Sequence, residues 1–252
     1  MDLGLKGARA IVTGATKGIG RAIAEVLADE GADVAFCARN DAEIKEAVTS
    51  LQEKGVRAYG ARVDVSDGES YSAWLEAAVS ELGGCDIFIP NVSGGNIPGE
   101  KGWRRNFEFD VLGTVRGIDI LVPHLSNSAN GNIIIISTTA ALEHFIQASP
   151  YGAMKAGLIS YAGALANDLA AKGIRVNCVS PGPVYVDGGT WDKIRNNMPS
   201  LYEQTLKHIP LGRFGNVQDV AKQVVFLASE CSSFTTGTNV VIDGGFTRKI
   251  QF

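Results

Sequence analysis

No stretch of the 252-residue sequence stays apolar for the roughly 18 residues that a membrane crossing needs. The opening residues MDLGLKGARA lack the charged, apolar, small-residue order of a secretory leader, so a cytoplasmic protein without a membrane span is expected. Cysteines are few: Cys37, Cys85, Cys178 and Cys231 lie far apart and form no CxxC pair. The three histidines (His124, His144, His208) are just as dispersed, so no metal site is expected and the thiols read as free and reduced. Positive charge is also short, with 23 Lys and Arg against 27 Asp and Glu and no basic stripe, which excludes a nucleic-acid surface. There is no linker, internal repeat or low-complexity break.

What is present is 45% hydrophobic residues, thirty glycines, and a regular alternation of short apolar runs with helical patterns. Strands are expected at 8–14, 33–39, 56–65, 85–91, 132–137, 174–180 and 239–243. Helices are expected at 20–32, 41–54, 69–82, about 103–121, about 150–171 and about 216–229. The run NIIIIS (132–137) shows no alternation, as a strand covered on both faces should not. Alternation of this kind demands crossover connections. It predicts an α/β fold, a single doubly wound, Rossmann-type domain over 1–252 with a parallel sheet of about seven strands and helices on both faces.

The first strand runs through Thr13-Gly14-Ala15-Thr16-Lys17-Gly18-Ile19-Gly20 straight into a helix. Glycines there permit a sharp turn and let a pyrophosphate approach the N–H groups of the helix start. The spacing Gly-x3-Gly-x-Gly reproduces the TGxxxGxG signature, and here the chain resembles the short-chain dehydrogenase/reductase family. The resemblance extends from about Gly7 to Phe246 and implies a nicotinamide dinucleotide cofactor. In an NAD site a carboxylate at the end of the second strand bonds the adenosine ribose; this chain has Ala38 where NAD-using relatives carry Asp, followed by Arg39. Arg39, aided by Lys17, could clamp a 2′-phosphate, so NADP is favoured, with NAD as the alternative. The resemblance further places Asp64 and Val65 at the adenine and Asn91 on the adenosine side.

Ser149-Pro150-Tyr151-Gly152-Ala153-Met154-Lys155 reads as an N-cap, a first helical residue, and a Tyr–Lys pair one turn apart. An ammonium beside a phenol favours phenolate, so Tyr151 is expected to titrate below the ordinary tyrosine range and exchange a proton with a carbonyl or alcohol. By resemblance, Lys155 also bonds the nicotinamide ribose, and a hydroxyl 13 positions before the tyrosine holds the substrate oxygen. That position is Thr138, with Ser137 as the alternative. The chain departs from the family pattern elsewhere. The NNAG motif is Pro90-Asn91-Val92-Ser93. The catalytic helix asparagine is replaced by Asp110, whose carboxylate is expected within reach of Lys155, directly or through a water, where it offsets part of the ammonium's pull on Tyr151. PGxxxT becomes Pro181-Gly182-Pro183-Val184-Tyr185-Val186. Val184 is still expected to offer its backbone N–H and C=O to the carboxamide.

A variable lid is expected at about 186–209, with Trp191, Met198, Leu201 and Tyr202 available to line a pocket, and Gly94, Gly95 and Trp103 opposite. The expected activity is NADP-preferring interconversion of a ketone or ketoacyl carbonyl and a secondary alcohol, on an apolar substrate of medium size. The alternatives are an NAD-linked alcohol dehydrogenase and a catalytically silent cofactor-binding regulator. Enoyl reduction is disfavoured, because that branch spaces its Tyr and Lys six residues apart. The resemblance implies a homodimer or homotetramer.

Overall fold

The computed structural model describes residues 2–144 and 147–249. Its centre is a parallel seven-stranded sheet in the order β3-β2-β1-β4-β5-β6-β7. The strands are β1 (Arg9–Thr13), β2 (Asp33–Ala38), β3 (Ala58–Arg62), β4 (Ile87–Ile89), β5 (Asn132–Ile136), β6 (Arg175–Pro181) and β7 (Asn239–Ile242). Every residue of β5 and β6 is buried, which is why neither shows the alternation of a strand with one wet face.

Helices α1 (Gly18–Asp29), α2 (Asp41–Gln52) and α9 (Val217–Ala228) cover one face, meeting Val12, Val34, Ile134 and Val179. Helices α3 (Gly68–Leu82), α5 (Gly113–Leu125) and α6 (Pro150–Ala170) cover the other, over Ile11, Phe88, Ile135 and Val176. Strand β1 lies between β2 and β4, so the connections leave it in opposite directions and a crevice opens at the carboxyl ends of β1 and β4.

Two regions differ from the expected pattern. The helix placed at 103–121 begins earlier, as α4 (Gly99–Asn106), and reaches α5 only through a π-helical segment at Phe107–Leu112. The stretch at 186–209 is itself mostly helical, forming α7 (Thr190–Asn197) and α8 (Pro199–His208). Cys37, Cys85 and Cys178 are buried and Cys231 is exposed. Among the described residues no helix is long and apolar enough to cross a membrane, and no group of three or more His, Cys, Asp or Glu is placed to hold a metal.

Candidate active site

The glycine loop forms a tight cradle at the end of β1. Gly14 has φ +71° and Gly18 φ +57°, both in the left-handed region that side chains resist. A Cβ at Gly20 would lie 2.3 Å from the Gly14 carbonyl oxygen and 2.5 Å from Asn91 Nδ2, so that position admits nothing larger than hydrogen. The buried Thr13 hydroxyl accepts from the N–H groups of Asn91 (2.9 Å) and Val92 (3.2 Å). The Asn91 amide in turn donates to the carbonyls of Thr13 (3.0 Å) and Gly14 (3.2 Å), so it braces the loop. Helix α1 starts with Lys17 in extended conformation, with no side-chain cap and no acid in its first turn. Its first N–H groups and the positive end of its dipole are left for an anion. These features fit the pyrophosphate of a dinucleotide.

Two cavities flank the cradle. The smaller, about 320 Å³, is lined by Gly14, Thr16, Lys17, Ala38, Arg39, Asp64 and Val65, which brings together residues expected at the adenosine end; Asn91, expected on that side too, lines the larger cavity instead. Asp64 accepts from the Ser66 N–H (3.0 Å) and hydroxyl (2.7 Å), which sets its carboxylate. Arg39 is exposed and has no carboxylate partner among the described residues. Lys17 is held by Glu43 of α2, Nζ to Oε1 at 2.7 Å, and Glu43 lines the same cavity. Nothing local in the chain announces this pair, because Lys17 sits in the glycine loop and Glu43 on α2.

The larger cavity, about 740 Å³, is lined by Ile19, Asn91, Thr138, Tyr151, Lys155 and Val184, so the residues expected to carry the chemistry share one wall with the nicotinamide side of the crevice. Ser149 caps α6 by accepting from the Tyr151 N–H at 3.2 Å, and Pro150 occupies the first turn. Lys155, only 3% exposed at its side chain, donates to the Ile136 carbonyl at 2.8 Å and pairs with Asp110 Oδ1 at 2.9 Å. Thr138 faces the cavity and accepts from the Ala140 N–H at 3.2 Å. Ser137 is buried, and its hydroxyl donates to the Lys155 carbonyl at 3.2 Å. Val184 bridges Gly215 through its neighbours' groups, Tyr185 N–H to Gly215 and Gly215 N–H to Pro183. That bridge turns Val184's own N–H and C=O away from Gly215, and Val184 lines the cavity.

The phenol does not titrate as the sequence suggested. Burial pushes Tyr151 up to about 12, the bonded Thr138 hydroxyl draws it down, and the negative charge of Asp110 pushes it up. The ammonium expected to lower it is already matched by a carboxylate. Asp110 itself is fully buried in the π segment, and its Oδ2 accepts from the Gly94 N–H (2.9 Å) and Asn106 Nδ2 (2.9 Å). Asn106 Nδ2 also donates to the Gly95 carbonyl at 2.9 Å. One carboxylate therefore ties Lys155 to the loop after β4, where Ser93, Gly95 and Asn96 form part of the cavity wall. Sequence reasoning passed over Asn106; its place four residues before Asp110 on a helix was the available signal.

Of the lid residues, Trp191 lines the cavity and packs on Phe214 with centroids 5.0 Å apart. Met198, Leu201 and Tyr202 do not line it; Tyr202 stacks on Phe214 at 4.4 Å, and Met198 is exposed. Trp103 lies on exposed surface, outside the lining. The wall has two characters: Val186, Trp191, Ile194 and Phe246 are apolar, whereas Asn96, Gln147 and Ser149 are polar. Glu143, also on the lining, accepts from the backbone N–H groups of Arg248 (2.8 Å) and Lys249, which holds the chain after Phe246 at the cavity.

A family model described as enoyl-(acyl carrier protein) reductase matches residues 14–247. Isoepoxydon dehydrogenase of Aspergillus clavatus is 38% identical over 98% of this chain and 98% of its own. The 3-oxoacyl-[acyl-carrier-protein] reductase of Chlamydia pneumoniae is 32% identical over 98% of this chain and 100% of its own. Among solved structures, the L-sorbose reductase of Gluconobacter frateurii, complexed with NADPH and L-sorbose, superposes with a TM-score of 0.91 at 32% identity, covering 99% of this chain and 100% of its own.

Proposed function

The chain belongs to the short-chain dehydrogenase/reductase family and is an oxidoreductase of alcohols and ketones; on that premise we propose that it reduces a hydroxylated ketone with NADPH, using Tyr151 as proton donor. The observation that carries this reading is the convergence of Thr138, Tyr151 and Lys155 on one wall of the larger cavity, beside the glycine cradle.

The bound cofactor would supply the hydride, and the rest falls to side chains of this protein. The cradle and the start of α1 hold the pyrophosphate, and Val184 presents N–H and C=O to the carboxamide. The Thr138 hydroxyl donates to the substrate oxygen and fixes it next to the Tyr151 phenol, which gives up its proton as charge develops there. Lys155, locked between Asp110 and the Ile136 carbonyl, stands one turn below, where it stabilises the phenolate left behind and bonds the ribose.

Three points support NADPH: Ala38 where a carboxylate would bond the ribose, the unpartnered Arg39 beside it, and the NADPH-bound relative of the same fold. The NAD-linked reading has one observation in its favour, the engagement of Lys17 by Glu43. A lining that mixes polar Asn96, Gln147 and Ser149 with apolar Val186, Trp191, Ile194 and Phe246 suits a ketone that also carries hydroxyl groups, in keeping with the names of the isoepoxydon and sorbose enzymes. Assembly as a homodimer or homotetramer and a cytoplasmic setting complete the proposal.

The test is turnover of a ketone and alcohol panel with NADPH and NADH, in wild type and Tyr151→Phe. The variant is expected to lose about 10²–10⁴ in kcat while binding NADPH as before. Wild-type turnover by Tyr151→Phe would refute the assignment.

A further inference from the structure

The corner where the 2′-phosphate of NADPH would lie carries a carboxylate that the proposed function does not use. Glu43 is the third residue of α2. Asn40 caps this helix by accepting from the N–H groups of Ala42 (3.0 Å) and Glu43 (3.2 Å), which turns the Glu43 side chain back towards the glycine loop. There Oε1 meets Lys17 Nζ at 2.7 Å and Oε2 accepts from the Thr16 hydroxyl at 3.2 Å. Both oxygens are thus committed to the two loop residues that line the adenosine cavity with it. Lys17 holds the carboxyl below its ordinary range, so it is ionised at any working pH.

The cavity lining offers little free positive charge. Among the described residues its cations are Lys17, engaged by Glu43, and Arg39, which has no carboxylate partner; Arg62, at the end of β3, is engaged by Asp41 at 3.3 Å. A phosphate arriving here meets one open guanidinium, one lysine already paired, and a carboxylate beside that lysine.

Resting on the NADPH reading, we infer that Glu43 is a specificity-determining residue that competes with the 2′-phosphate for Lys17 and so limits discrimination between NADPH and NADH. A 2′-hydroxyl makes no demand on Lys17 and leaves the pair intact. A 2′-phosphate must either draw Lys17 from Glu43 or share it, and it brings like charges together in either case. Glutamine at this position would keep the shape and the acceptor for Thr16 while removing the charge.

The test uses the whole protein and two fragments that differ only in the 2′-phosphate, adenosine 2′,5′-bisphosphate and 5′-AMP, followed by titration calorimetry. Wild type should bind the bisphosphate more tightly. Glu43→Gln should tighten the bisphosphate about three- to tenfold, with 5′-AMP moving less than about twofold, because the interaction removed is one between partly exposed charges. In a Lys17→Met background the same substitution should gain markedly less, since its effect passes through the lysine. Unchanged or weakened bisphosphate binding by a Glu43→Gln protein that melts like wild type would overturn the inference and mark the pair as a brace for the loop. Equal wild-type affinity for the two fragments, insensitive to Arg39→Ala, would instead remove the NADPH reading and this inference with it.

Discussion

Replacing Asp110 by asparagine removes one charge from a buried pair, and the structure allows the cost to be worked out. The pair with Lys155 spans 2.9 Å, with the two side chains 3% and 0% exposed. At an effective dielectric near 20, opposite unit charges at that separation attract by about 6 kcal/mol, before the desolvation of both is counted against them. Removing one partner of a buried pair costs roughly 3–5 kcal/mol, and here the hydrogen bonds add to it. Oδ2 accepts from two donors, Gly94 N–H and Asn106 Nδ2, so an amide nitrogen placed there would face two N–H groups. Asn106 could turn over and offer its Oδ1, which has no partner, but would then face the Gly95 carbonyl with an oxygen. A melting-temperature loss of about 6–20 °C is expected for a chain of this size.

The kinetic consequence has a definite sign. The Asp110 charge raises the Tyr151 phenol, so its loss lets the ammonium act undiminished and the phenol falls. In the oxidation direction the phenolate is the base; the rising limb of the rate profile, where the phenol loses its proton, should therefore move to lower pH, by roughly half to one unit. Because Gly94 is released together with the adjoining cavity wall, KM should rise as well. Scanning calorimetry and a pH–rate profile decide the matter. A variant that melts within a degree or two of wild type and gives a superimposable profile would show that Asp110 has no hold on Lys155 or Tyr151.

Two further outcomes are expected. Arg39→Ala should weaken NADPH about ten- to a hundredfold and leave NADH nearly untouched, the value of a charge-assisted bidentate contact; equal losses for both would make Arg39 structural. Burial pushes the Cys37 and Cys178 thiols up to about 12 and raises Cys85 too, from an ordinary value of 9.0. The folded chain keeps these protons and the unfolded chain releases them, so stability is full below pH 9 and falls above it. Three such groups give a slope of about 4 kcal/mol per pH unit until they begin to ionise in the folded state. Urea unfolding at pH 8, 9 and 10 measures this, and equal stabilities would contradict it.

The sheet was readable because its signals are local. Runs such as NIIII in β5 and the glycine loop state their burial and turn chemistry within a few residues. Tyr151 and Lys155 were readable for the same reason, since a cap, a proline and a one-turn spacing fix both on one helix face. What escaped depends on partners distant in the chain. Lys17 meets Glu43 only because the loop before α1 is brought against α2, whereas the contact of Asp110 with Lys155 was legible from the place Asp110 takes in the family pattern. The spacing of Tyr151 and Lys155 alone points to a lowered phenol; Asp110 is the residue in the sequence that offsets the ammonium, and burial adds to it. The π segment gave no warning either, as FEFDVL is compatible with any helical register.

That segment ties the site to chain length. A π turn accommodates one residue more than an α turn, so everything before Phe107 is rotated by about 100° from where an uninterrupted helix would put it. Losing a single codon between 107 and 109 would swing Asn106 away from Asp110 and carry Gly102, whose missing Cβ would lie 3.1 Å from Pro150 Cγ of α6, out of its contact. The neighbour presented to the buried carboxylate is thus set by counting residues, and one insertion or deletion could exchange it in a single genetic step that no substitution reproduces.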